Sequence, residues 1–159
     1  MLINLTNHPY EHWSKEQKEA AERQFGEVVD MQFPDIPADA DDDYVVKLAV
    51  KYANKIENLF DSYVPKGGKI TRLYDNGVHL MGEMTFCYAL IDYLGTEMDL
   101  FYASTAERRV SYDDNGNKVV DFKFVNFRNY RSYFDKEEYD EEYDDDYDDD
   151  YEEEEGDKF

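Results

Sequence analysis

At 159 residues the chain is one domain, and its 42% hydrophobic and 16% aromatic residues are enough for a real core. The formal charge of −22 is uneven: residues 135–159 hold 17 acidic and 2 basic side chains, which leaves −7 on the 134 residues before them. The body therefore reads as a mildly acidic, soluble cytoplasmic domain. That balance speaks against direct DNA binding, and no stretch has the roughly 18 to 20 uninterrupted apolar residues of a membrane span or the pattern of a leader peptide.

Leu2 to Thr6 alternates apolar positions as a strand, and Asn7-His8-Pro9 breaks it. Ser14 followed by Gln17 is a capping-box spacing, so a helix runs from Ser14 to about Gln24 and closes at Gly26. Glu27 to Phe33, between Gly26 and Pro34, is a second strand. Asp41 to Asp43 then put negative charge where a helix N-terminus favours it. Val45, Leu48, Ala49, Tyr52, Ala53, Ile56, Leu59 and Phe60 follow at the spacing of a buried helical stripe. Residues 65–76 are read as a loop.

The stretch from Val78 to Arg109 organises the rest. Val78 to Met81 is an apolar run ending at Gly82-Glu83. Phe86, Leu90, Ile91 and Leu94 have helical spacing up to Gly95, and Met98 to Ala103 resumes an extended run. Beyond it, Arg109 to Tyr112 and Lys118 to Phe127 flank an Asn115-Gly116 step that suits a hairpin. Strands alternating with helices predict an α/β fold, a Rossmann-like three-layer sandwich with a mainly parallel sheet and a C-terminal antiparallel β-hairpin. Residues 1–134 form this domain. Residues 135–159, with tyrosines four apart among carboxylates, form an acidic tail expected to be disordered or to mimic phosphate against a basic partner.

No G-x-G-x-x-G follows the first strand and no P-loop occurs, so no cofactor is expected. Cys87 is alone and reads as a small core residue, which leaves neither a disulfide nor a cysteine-based zinc site; no metal site is expected. The candidate chemistry lies at three expected strand ends, which in a parallel sheet open on one edge. Ser104 and Thr105, with Arg108 and Arg109 within a turn of them, suit an anion, because guanidinium groups offer a planar fork of donors; the alternative is a turn with surface charges. Gly82 lets a group approach the backbone. Glu83 is either a base or ribose acceptor, or a carboxylate favoured by the helix dipole, and the dipole is the safer explanation. Asn7 could hold a base or phosphate and His8 could accept a proton near neutral pH, although a turn asparagine and a surface histidine explain the same letters. His12 and His79 are weaker candidates.

The segments NLTNHP with Trp13, Ser14 and Gln17, then FGEVVDMQFPDI, VHLMGEMTF, STAERRV and FKFVNFRNY, resemble small stand-alone CRISPR-associated Rossmann-fold (CARF) proteins, including the minimal ring nucleases. The resemblance covers most of residues 1–130 and none of the tail. It implies a homodimer that binds a cyclic oligoadenylate across two subunits, and for some members cleavage of that ring without metal. Carried onto this chain, it implies a catalytic set of His8, Ser104 and Arg108, and ligand contacts from Asn7, Gly82, Glu83, Thr105 and Arg109. No lysine or second histidine stands beside these turns to complete an acid–base pair, so a non-catalytic sensor or sponge is the alternative. An interaction protein working through its acidic tail is the third class.

Overall fold

The computed structural model describes residues 1–63, 76–95 and 100–130. Strand β1 (Leu2–Thr6) leads through a short 3-10 turn (Tyr10–His12) into helix α1 (Lys15–Phe25), then β2 (Val28–Asp30) and α2 (Asp42–Ser62). Strand β3 (Gly77–Met81), α3 (Met84–Leu94), β4 (Phe101–Tyr112) and β5 (Lys118–Asn129) follow. The sheet order is β2-β1-β3-β4-β5, with β1 parallel to both β2 and β3, β3 parallel to β4, and β4 antiparallel to β5. The fold is thus the expected mainly parallel α/β sandwich with an antiparallel pair at one edge.

Alternation along the strands assigns residues to the two faces of the sheet. Ile3, Leu5, Val78, Leu80 and Phe101 meet the buried stripe of α2 (Val45, Ala49, Tyr52, Ala53, Ile56) and Phe86 and Leu90 of α3. On the other face Leu2, Tyr102 and Phe127 pack with Trp13 and with Ala21 and Phe25 of α1. These are three layers, with α1 alone on one side. Local chemistry starts the helices: the Ser14 side chain accepts from Gln17 N at the start the sequence predicts, and Asp41, expected only as charge favoured by the helix dipole, caps α2 by accepting from Tyr44 N. Cys87 is half-buried against the α2/α3 core, and burial pushes its thiol up to about 11.

Two strand boundaries depart from the sequence reading. Strand β2 keeps only Val28–Asp30 of the expected Glu27 to Phe33, because Phe33 turns into the core against Phe86, with ring centroids 5.3 Å apart. Strand β4 does not end at Ala103. It runs unbroken to Tyr112, and β5 pairs with all but its first residue, so the two expected short strands are one. The hairpin loop is built as predicted: Asp113 Oδ1 accepts from Asn115 N at 2.9 Å and Asn117 N at 2.8 Å, and Gly116 adopts φ 81°. The loop expected at 65–76, apart from Asn76, and the acidic tail from residue 135 lie outside the described residues.

Candidate functional site

The helix after β1 lies on one face of the sheet and the helix after β3 on the other. The C-terminal ends of these neighbouring strands are therefore the topological switch point, where open α/β sheets leave a crevice. Asn7 and His8 stand at one lip of it and Met81 and Gly82 at the other, all exposed, with Ser104 half-buried beside them.

A buried polar network holds the first lip. Asn4, 1% exposed, donates from Nδ2 to the His8 carbonyl (2.8 Å) and to Asp30 Oδ1 (2.7 Å). The His8 carbonyl also accepts from Trp13 Nε1 at 3.0 Å, and the Thr6 hydroxyl accepts from His8 N at 3.1 Å. Asp30 in turn accepts from Tyr10 N at 3.0 Å, which ties the 3-10 turn to β2. On the adjacent strand, His79 Nε2 accepts from Ser104 N at 3.2 Å, so its proton is on Nδ1, 3.2 Å from Asn4 Oδ1. His79 packs edge-on against Trp13 (5.2 Å) and Phe127 (5.3 Å). Burial, helped by the charge of His8, pushes its pKa down to about 4, so it is a neutral spacer between strands. The backbone of the Asn7–His8 turn is thus fixed from below, and both side chains face solvent.

The second lip is structural. A Cβ on Gly82 would lie 2.2 Å from Cζ of Phe33, so this glycine makes room for the Phe33 ring. Glu83 is the N-cap of α3: its carboxylate accepts from Thr85 N (3.0 Å), Thr85 Oγ1 (2.7 Å) and Phe86 N (2.8 Å). Those hydrogen bonds, the one from Phe86 N foremost, hold its carboxyl below the usual range. The carboxylate is thus engaged with the start of its own helix, the arrangement that the helix-dipole explanation expects.

The anion turn expected at Ser104 and Thr105 is absent, because both residues lie inside β4. Ser104 N is spent on His79, while its hydroxyl points at Met81 Sδ, 3.2 Å away. Thr105 Oγ1 contacts Asn126 O and N, both at 3.3 Å, and spans the register shift between Thr105 and Ala106. Four strand residues carry Arg108 about 13 Å beyond Ser104. Arg108 lies opposite Phe122 and Arg109 opposite Asp121, so the two guanidinium groups leave opposite faces of the ribbon, and Arg109 pairs with Glu107 at 3.0 Å. They cannot converge on one phosphate. The crevice therefore gathers Asn7, His8, Gly82, Glu83 and Ser104, and excludes the arginines.

Sequence reasoning missed Asn4, Asp30 and Trp13 and undervalued His79. The signal available was a polar residue on the inward alternation of each of two apolar strands, Asn4 in LINLT and His79 in VHLM. Among the described residues no group of three or more His, Cys, Asp or Glu side chains could hold a metal ion, and no helix is long and apolar enough to cross a membrane.

No curated protein and no solved structure shows significant similarity to the chain. Residues 1–128, which take in all the strands and helices but the last residue of β5, match the family described as the uncharacterized protein MJ1673 family, and the chain belongs to that family.

Proposed function

We propose that the protein is a cytoplasmic receptor for a cyclic oligoadenylate, bound at the crevice between β1 and β3. The family description carries no activity, so the reading rests on the resemblance of the motifs and on one observation: a solvent-facing Asn7-His8 pair, on a turn whose His8 backbone is held by Asn4, Thr6 and Trp13, at the switch point of a Rossmann-like sheet. The Asn7 amide offers the donor and acceptor that an adenine edge requires. The Ser104 hydroxyl suits a ribose or phosphate oxygen, and a ring extending along β4 meets Arg108. The crevice is open to solvent, and a second subunit encloses the remainder of the ring.

Slow metal-independent cleavage is the second reading, and the exposure of His8 favours it. A ribose 2′-oxygen attacks the adjacent phosphorus and passes its proton to His8. The bond from phosphorus to the 5′-oxygen breaks, that oxygen takes a proton from solvent water, and His8 later returns its proton to solvent, leaving a linear product with a 2′,3′-cyclic phosphate and a 5′-hydroxyl. Retention of the intact ring is the stronger expectation, because Glu83 takes the α3 amides and Arg108 and Arg109 diverge, which leaves little positive charge for a developing pentacovalent phosphate.

Incubation with cyclic tri-, tetra- and hexa-adenylate in chelator, followed by calorimetry and chromatography, tests both. Binding with intact ring recovered means receptor, at one ring per two chains if two subunits enclose it, and linear product lost in His8→Ala means nuclease. Failure of the full-length chain to bind any ring overturns the proposal.

A further inference from the structure

The β4/β5 ribbon leaves the outer edge of β5 as a boundary of the sheet, and nothing among the described residues pairs with it. A long edge with an apolar face is a template for another strand, and proteins blunt such edges when they are not used. Here Phe122 is 64% exposed, and Val110, Tyr112 and Val120 on the same face of the ribbon are exposed as well. The Phe122 N–H is directed to the open edge, since it donates to the Asp121 carboxylate (2.9 Å) instead of to β4.

We propose that the β5 edge pairs, antiparallel and about a two-fold axis at Phe122, with β5 of a second copy of this chain. The segment Val119-Val120-Asp121-Phe122-Lys123-Phe124-Val125 is close to a palindrome in chemical type around Phe122. Laid against itself in that register, it sets Phe122 opposite Phe122, Val120 opposite Phe124, and Asp121 opposite Lys123 of the second copy. Within one chain Asp121 already faces Arg109 across the ribbon and Lys123 faces Glu107. The joined ribbons therefore carry two rows of alternating charge, Arg109, Asp121, then Lys123 and Glu107 of the second copy, and the reverse. Directly opposed unlike charges stabilise a strand pair, whereas moving the axis to Asp121 or to Lys123 would oppose two like charges. The register is thus chosen by charge, and attraction comes from main-chain hydrogen bonds and the apolar face.

Pairing also gives the Phe122 N–H a carbonyl partner and frees Asp121 for Lys123 of the second copy. In the single chain Lys123 adds to the effects of a backbone N–H and of Ser14 in holding the Glu16 carboxyl low, so Asp121 is the cleaner position to vary. The two crevices lie on opposite sides of the joined ribbons and stay open. This interface is therefore separate from any enclosure of a ring, and its test needs no nucleotide.

Sedimentation of the full-length chain over a concentration series tests the pairing. Wild type is expected to reach twice the single-chain mass of 18.9 kDa. Asp121→Lys or Lys123→Asp alone places like charges opposite each other twice per dimer and should weaken association by roughly tenfold or more. A mixture of the two variants should restore a dimer of one chain of each, which a mere folding defect cannot do. A wild-type chain that stays at single-chain mass, a dimer indifferent to both reversals, or a mixture that does not recover overturns the proposal.

Discussion

His79 returns to an ordinary pKa of 6.5 when the chain unfolds, but in the fold burial holds it at about 4. Between those values the unfolded chain binds more protons, so this group's contribution is full above about pH 6.5 and falls away as the pH drops towards 4, by up to about 3 kcal/mol. Urea titrations from pH 4 to 7.5 should show a steeper acid loss in wild type than in His79→Gln, where that proton is gone; parallel curves would sink the assignment. At the opposite lip, Gly82→Ala drives a methyl into the Phe33 ring and should cost about 1 to 3 kcal/mol, read as a lower urea midpoint at unchanged slope. A neutral outcome would mean that Phe33 can move aside and that the glycine serves something else.

At the scale of elements, Glu83 separates a structural role from a binding role. As the N-cap of α3 it should cost about 1 kcal/mol when changed to Ala and little when changed to Asp, which also caps well. Affinity for a cyclic oligoadenylate should be the same in both variants, and a selective loss of binding in Glu83→Asp would return the residue to the ligand. Strand β4 makes a similar point about reach. Its continuation past Ala103 depends on β5, whose ladder pairs Ser104 with Phe127 and Tyr112 with Lys118, and this ladder carries Arg108 and Arg109 out of the crevice.

For the whole molecule, the central sheet is covered once by α1 and once by α2 with α3, so neither layer can leave without exposing a sheet face. Phe25, 1% exposed and edge-on to Tyr102 at 5.0 Å, anchors the first layer. Phe86, fully buried between Phe33 and Tyr52, anchors the second. Phe25→Ala and Phe86→Ala should each cost about 3 to 5 kcal/mol. Each variant should still unfold in one transition by near- and far-ultraviolet dichroism. Separate transitions would mean that the layers fold independently.

The sequence by itself determined the order of strands and helices, the helix cap at Ser14, the acidic start and buried stripe of α2 and the hairpin loop, because each depends on residues within a few positions of one another. The tertiary structure alone decided three things. It joined two short strands into β4, since ladder bonds to a strand some twenty residues away are invisible in hydropathy. It sent Arg108 and Arg109 to opposite faces, which a continuous strand requires and a turn does not. And it assembled Asn4, His79 and Ser104 into one network across 75 and 25 residues of sequence, so that Asn4, which holds the His8 carbonyl from four residues away, is itself met by a side chain of a neighbouring strand.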